Sequence, residues 1–305
     1  MSESAASNQG KGIVLMLIAM FCIASNDAIG KNLTQDFSIW QVLWLRSLVW
    51  VVCAFAWIAC NGGLKAALPS RRPILQIVRS LVLVAEICVF IIAFKHLPLG
   101  DVTAVSAGTP LVVLVLAALF LNERVGIHRW SAVAIGFIGM LLIARPGFGV
   151  LGLMSLLPLL GALLFGIYQV LVRLVGRVDN PQTTLLWSGI ALFIVTSCIT
   201  PWYWRPVEDM HTWGLFVFVG ILNTTGHFGI IAALHHAQAS ALQPFTYSIV
   251  IWALIIGWFM FAEIPDSKTV MGIMLVVASG LYAVHREIRQ ARLARTHKSH
   301  ERSVL

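Results

Sequence analysis

The residues able to do chemistry in this chain stand where chemistry is least expected, inside long apolar runs. Asp27 has Asn26 beside it and Lys31 four positions on, a spacing that permits an ion pair on one helix face. Arg46 is too deep in its run to be a loop charge. Arg79 and Glu86 are seven apart, so two helical turns put them on one face about 10.5 Å apart along the axis. Asn223 and His227, and again Gln243 and Tyr247, are spaced i, i+4, with Pro244 inside the second pair. Ser106, Thr109 and Pro110 lie at comparable depth in an earlier run, and Tyr168, Gln169, Trp187 and Ser188 in two later ones. Ionisable groups at such depth cost about 2.5–3.5 kcal/mol each to insert, and they normally face a bundle interior or water. The chemistry they offer is binding and proton exchange. Glu86 is the first choice for a proton-linked group, with Asp27 the second. Two structural readings stand beside these: a pair closing a helix end at Asp27–Lys31, and a tie between helices from Glu86 to Arg46 or Arg79.

The elements that must position these residues follow from composition. Hydrophobic residues make up 59% of the 305 and charged residues 11%, with a mean hydropathy of +0.87. A soluble domain carries about 25% charged residues, so lipid must cover much of this surface. Ten apolar spans are expected, near residues 12–31, 39–60, 72–94, 101–121, 130–144, 152–174, 181–202, 212–234, 239–262 and 269–285. The fifth is short, which makes nine the competing count. Charge decides between them. With ten spans and an internal N-terminus, fourteen Lys or Arg fall on the inner side and five in the outer loops, as positive-inside bias requires. Both termini are therefore expected in the cytoplasm, with residues 1–11 and the basic tail 287–305 on that side.

An internal repeat organises the spans. Residues 93–145 and 233–286 share a layout: an apolar run, a terminal Glu (Glu123, Glu263), a polar break and a Gly-containing run. Ala93 aligns with Ala233, and His96 with His236. Five spans per half is an odd number, so the halves, 12–146 and 150–286, must lie in opposite orientations. The expected fold is all-α, ten transmembrane helices in two inverted five-helix repeats. Pro-interrupted segments in both halves point to a transporter site near the midplane.

Other classes find little support. The chain has no H-E-x-x-H, G-x-S-x-G or Walker-type loop, and its five cysteines form no C-x-x-C pair, so no metal, cofactor or disulfide is assigned. The net charge of +8 sits largely in the tail, which suits anionic lipid headgroups rather than nucleic acid. The N-terminal run lacks an A-x-A cleavage pattern and is read as a span, not a signal peptide. Trp40, Trp130, Trp202 and Trp213 at span ends read as interfacial anchors. An intramembrane enzyme would need a nucleophile beside His227, and none is identifiable by spacing. A passive channel is the other rival.

The two Glu-ended runs (Leu119-Phe120-Leu121-Asn122-Glu123 and Phe259-Met260-Phe261-Ala262-Glu263), with Gly136, Gly139 and the Arg145-Pro146-Gly147 stop, resemble the EamA family of the drug/metabolite transporter superfamily. The resemblance covers residues 12–286 and implies inverted repeats, with spans 1–4 and 6–9 around a cavity and spans 5 and 10 peripheral. It also implies secondary transport of small organic metabolites, such as amino acids or a cofactor-like solute of the riboflavin or S-adenosylmethionine type. The repeat-ending Glu residues are then structural landmarks. Val250 stands where the first half has Pro110, with Pro244 earlier, which leaves the pivot of span 9 unassigned. The expected lining residues are Arg79, Glu86, Tyr168, Gln169, His227, Gln243, Tyr247, Asn223, Trp187, Ser106 and Thr109, with no catalytic residue among them.

Overall fold

The computed structural model describes residues 2–61, 68–120, 126–145, 152–176, 178–236 and 239–303. Glu123, Arg124, the Pro146-Gly147 stop and Arg177 lie outside the described residues, as does the side chain of Gln243. The first half comprises α1 (Ser2–Asp36), α2 (Ile39–Asn61), α3 (Pro73–His96), α4 (Leu99–Ser106), α5 (Thr109–Phe120) and α6 (Ile127–Ala144). The second comprises α7 (Leu157–Val175), α8 (Pro181–Ile199), α9 (Met210–His236), α10 (Ala239–Thr246), α11 (Ser248–Phe261) and α12 (Ser267–Ser303). No strand occurs among the described residues. In hydrocarbon every backbone N–H and C=O must be satisfied within its own segment, and a run of about 20 apolar residues does this only as a helix. Among the described residues nine segments are long and apolar enough to cross a membrane, and a shorter one, Trp130–Ala144, is the tenth. The chain is a multi-pass membrane protein.

Three boundaries differ from expectation. α1 runs on to Asp36, so Lys31 lies within the helix rather than at its end. The fourth span is broken at Ala107–Gly108 into α4 and α5, and the ninth at Tyr247 into α10 and α11. The alignment that carries Ala93 onto Ala233 also carries Ala107 onto Tyr247. The breaks therefore fall at the same place in both repeats, although Pro110 follows the first and Pro244 precedes the second. Proline position does not set the break; repeat position does.

Packing is heaviest between the halves: α1 on α9, α6 on α12, α3 on α7 and α2 on α8. Each helix has its counterpart six labels away. Exchanging counterparts maps α1–α9 onto α7–α3, α2–α9 onto α8–α3, and α2–α8 and α6–α12 onto themselves. Self-paired counterparts run antiparallel. Along α2 and α8, Trp44 reaches Ser197, Gly189 meets Trp50, and Ile58 packs on Leu186. Along α6 and α12, Gly136 meets Ser279, and Gly139 and Gly272 meet each other. A Cβ on Gly139 would stand 2.8 Å from the Gly272 carbonyl oxygen, so glycine there permits the close crossing. That crossing seats the short α6 against a long partner. Opposed counterparts are what an inverted five-span repeat requires.

Candidate functional site

Four helices bring ionisable groups together, with Glu86 buried, Asp27 and Arg46 half-buried and His227 exposed. Arg46 on α2 is within electrostatic reach of Asp27 on α1, Glu86 on α3 and His227 on α9. None of these makes an ion pair; among the described residues the ion pairs are Lys31–Glu263 and Arg145–Asp266. Asp27 accepts a hydrogen bond from Asn26 Nδ2 at 2.9 Å. Arg46 Nε is buried with no hydrogen-bond partner, and Glu86 is buried at 8% exposure. His227 lies on Trp50 with ring centroids 4.8 Å apart. With Ala54, Leu185, Thr224 and Phe228 these two rings line a void of about 10 Å³. A guanidinium held among acids yet bonded to none is poised to accept an external anion.

Arg79 occupies a different environment although it shares a helix face with Glu86. It is fully buried and bonded only to neutral groups. Its Nε donates to Gln76 Oε1 at 2.9 Å, and Nη1 to Ser188 Oγ at 2.9 Å. Its Nη2 donates to Ser80 Oγ and to the Thr184 carbonyl, each at 3.0 Å. The guanidinium also stands 5.5 Å from the Tyr168 ring centroid. Gln76 in turn donates to Asp179 Oδ2 at 2.9 Å. Asp179, in the turn between α7 and α8, also accepts from the Ser70 hydroxyl and from the Arg71 N–H. Burial pushes the Asp179 carboxyl up, but the hydrogen bonds from Ser70, Gln76 and Arg71 outweigh it and hold it below the usual carboxylate range. Every one of these contacts to Asp179, Ser188 and Thr184 crosses between the halves.

The opposite end of the bundle is tied by charge. The Asp27–Lys31 pair that the spacing permits does not form: Lys31 turns to the other half and pairs with Glu263. Lys31 Nζ also donates to the Leu97 carbonyl at 2.7 Å, and Glu263 Oε2 accepts the Leu99 N–H at 2.7 Å. The α3–α4 turn is thus clamped on both sides, its last free carbonyl and first free N–H each given a charged partner. Beyond it lies a pocket of about 210 Å³ lined in part by Asp101, Arg145, Glu263 and Asp266. Arg145 and Ala262 both adopt left-handed backbone, φ 44° and 54°, and end α6 and α11 at this face. The Arg145 hydrogen bond holds the Asp266 carboxyl well below its usual range.

The remaining expected residues are dispersed. Ser106 donates to the Thr103 carbonyl and Thr109 to that of Ser106, so both hydroxyls serve the helix break. Trp187 Nε1 donates to the Leu68 carbonyl, away from Arg46. Tyr247 presses its hydroxyl against Gly280 of α12. Gln169 is half-buried on α7 beside Tyr168. Asn223 is buried on α9, its Nδ2 unpartnered. Sequence reasoning did not assign Arg46, Asn26 or Trp50 to the site. The depth of Arg46 was the available signal, since a lone cation in an apolar run must have neighbours that spacing alone does not reveal.

A family model described as "EamA-like transporter family" matches residues 10–145 and 152–284. The S-adenosylmethionine uptake transporter of Rickettsia felis is 25% identical over 288 residues, 94% of this chain and 96% of that protein. The riboflavin transporter of Rhizobium johnstonii is 26% identical over 227 residues, 74% of this chain and 75% of that protein. The pseudopaline exporter CntI of Pseudomonas aeruginosa is 21% identical over 272 residues, 88% of this chain and 94% of that protein. One solved crystal structure superposes with a TM-score of 0.62 at 15% identity, covering 94% of this chain and 99% of that one, a likeness of fold.

Proposed function

The chain belongs to the EamA-like transporter family, and from that premise we propose that it moves a metabolite bearing both a carboxylate and a cationic centre. The observation that carries this reading is the Arg46 guanidinium, set among Asp27, Glu86 and His227 with its buried Nε lacking a hydrogen-bond partner. A carboxylate on the solute supplies the partner that Arg46 lacks. Two acids against one guanidinium leave the region short of positive charge, a condition that a cationic group or a proton relieves. S-adenosylmethionine, named for the Rickettsia relatives, has both kinds of charge; riboflavin, named for others, has neither. The balance of charged groups therefore favours the first class.

Movement follows from the inverted halves rocking about this region, so that it opens to one side and then the other. Glu86 is the proton-linked group in this scheme and Asp27 its neighbour across Arg46. The protein lies in the inner membrane with both termini in the cytoplasm, which places Asp179 at the cytoplasmic end and Glu263 at the outer one. No catalytic step is assigned to any of these groups.

Counterflow in proteoliposomes tests the scheme. Preloaded S-adenosylmethionine is expected to accelerate uptake of labelled S-adenosylmethionine, with saturation. Flux that neither saturates nor exchanges would overturn alternating access. Arg46→Gln should reduce that uptake at least about tenfold, the loss of one charge-assisted contact. Glu86→Gln should abolish dependence on a pH gradient while leaving the melting temperature within a few degrees, and unchanged coupling would remove Glu86 from the role.

A further inference from the structure

Asn26 and Asn223 are exposed by only 2% and 5%, yet Asn26 Oδ1 and Asn223 Nδ2 have no hydrogen-bond partner. Two such orphans are unusual, because more than nine in ten buried polar groups are bonded. The packing of α1 on α9 shows where they sit. Gly229 meets Ala19 and Leu15, and Gly226 meets Ala19 and Ile23, so the helices run antiparallel. Continuing that register one turn brings Asn223, three residues before Gly226, opposite Asn26, three residues after Ile23. Both face the same seam. Asp27 fixes which way the first amide points: its carboxylate takes Asn26 Nδ2, which leaves Oδ1 outward as an acceptor. A free acceptor and a free donor therefore lie at one level, on facing helices. His227 is one turn from Asn223, with its ring on Trp50, so flat aromatic faces are at hand.

We infer that Asn26 and Asn223 read the edge of a planar heterocycle on the transported solute, one that presents an N–H donor beside an acceptor. Asn26 Oδ1 receives the N–H, Asn223 Nδ2 donates to the ring nitrogen or carbonyl, and the Trp50–His227 pair supports the ring face. This rests on the transport reading above and deepens it: Arg46 and the acids hold the charged part, and the two asparagines select what is attached to it. A site built to bond such an edge rejects an analogue without it, because its own amides are then left unpaired.

The experiment compares ligands that differ only in the heterocycle. S-adenosylmethionine is set against S-methylmethionine, and riboflavin against ribitol, in binding to detergent-solubilised protein followed by titration and by melting temperature. Wild type is expected to prefer at least one heterocycle-bearing member over its partner. Asn26→Leu and Asn223→Leu should each shrink that preference at least tenfold, and Asn223→Leu, which leaves the Asn26–Asp27 hydrogen bond intact, should keep the affinity for the partner unchanged. Asn223→Leu should not lower the melting temperature of the unliganded protein, since it removes an orphaned donor. An unchanged preference in the variants would overturn the inference, as would a fall in the unliganded melting temperature of Asn223→Leu that accounts for its lost affinity. Wild type that binds all four compounds alike, or none, would overturn it too. Retained discrimination with no counterflow would instead overturn the transport reading alone.

Discussion

At the Glu263 end the halves meet through opposite charges, Lys31 on Glu263 and Arg145 on Asp266. At the Asp179 end a single carboxylate gathers a hydroxyl, an amide and a backbone N–H, while Arg79 is satisfied entirely by neutral acceptors. Charges held together in a largely dry setting, as Lys31 and Glu263 are, attract strongly, but both recover hydration when water enters. Such a tie is close to all-or-none. A carboxylate with several neutral donors loses them one at a time, each worth about 1 kcal/mol. The same fold thus joins its halves abruptly at one end and gradually at the other.

Breaking one partner of the buried charge pair should have the largest effect. Glu263→Gln leaves Lys31, 7% exposed, without its carboxylate and should destabilise the protein by about 3 kcal/mol. Adding Lys31→Met should return most of that loss, measured as a double-mutant cycle in chemical unfolding. A middle-sized effect is expected at the other end, where Asp179→Asn should lose about 1–2 kcal/mol. The sign of its pH dependence follows from the lowered carboxyl. The contribution of Asp179 is complete above the ordinary carboxylate value of about 4 and fades as pH falls through its lower folded value. Melting curves of Asp179→Asn should therefore be less acid-sensitive in that window than wild type, with the limb due to Asp266 remaining. Arg145→Ala should do least, about 0–1 kcal/mol, because Asp266 is half exposed. Equal losses at the two ends would erase the contrast; a steeper response to Glu263→Gln than to Asp179→Asn would sharpen it.

The helices were legible in the sequence because apolar length is a local property, and the inversion because an odd span count forces it. The break at Tyr247 was only half legible. Pro244 drew attention to the region, whereas the alignment of Ala107 with Tyr247 marks the spot. Partners were the least legible. Asp27 and Lys31 have the spacing of a pair, yet Lys31 bonds a residue 232 positions away, because the other half lies against that face of α1. The same limit half hid the setting of Arg46: Glu86 was named beside it, but Asp27 and His227 arrive from two further helices. Ser106 and Thr109 read as ligand-binding hydroxyls, while carbonyls at a helix break claim them first.

The dominance of packing between halves has a consequence for biosynthesis. α1, α2, α3 and α6 leave the ribosome before their principal partners α9, α8, α7 and α12 exist. At about 5–20 residues per second the nascent first half waits on the order of ten seconds, with its inner faces uncovered. During that interval Asp27, Arg46, Glu86 and the glycines of α6 depend on the translocon or an insertase to shield them from lipid. A chain truncated after α6 is consequently expected to be a substrate for membrane quality-control proteolysis rather than a stable half-transporter.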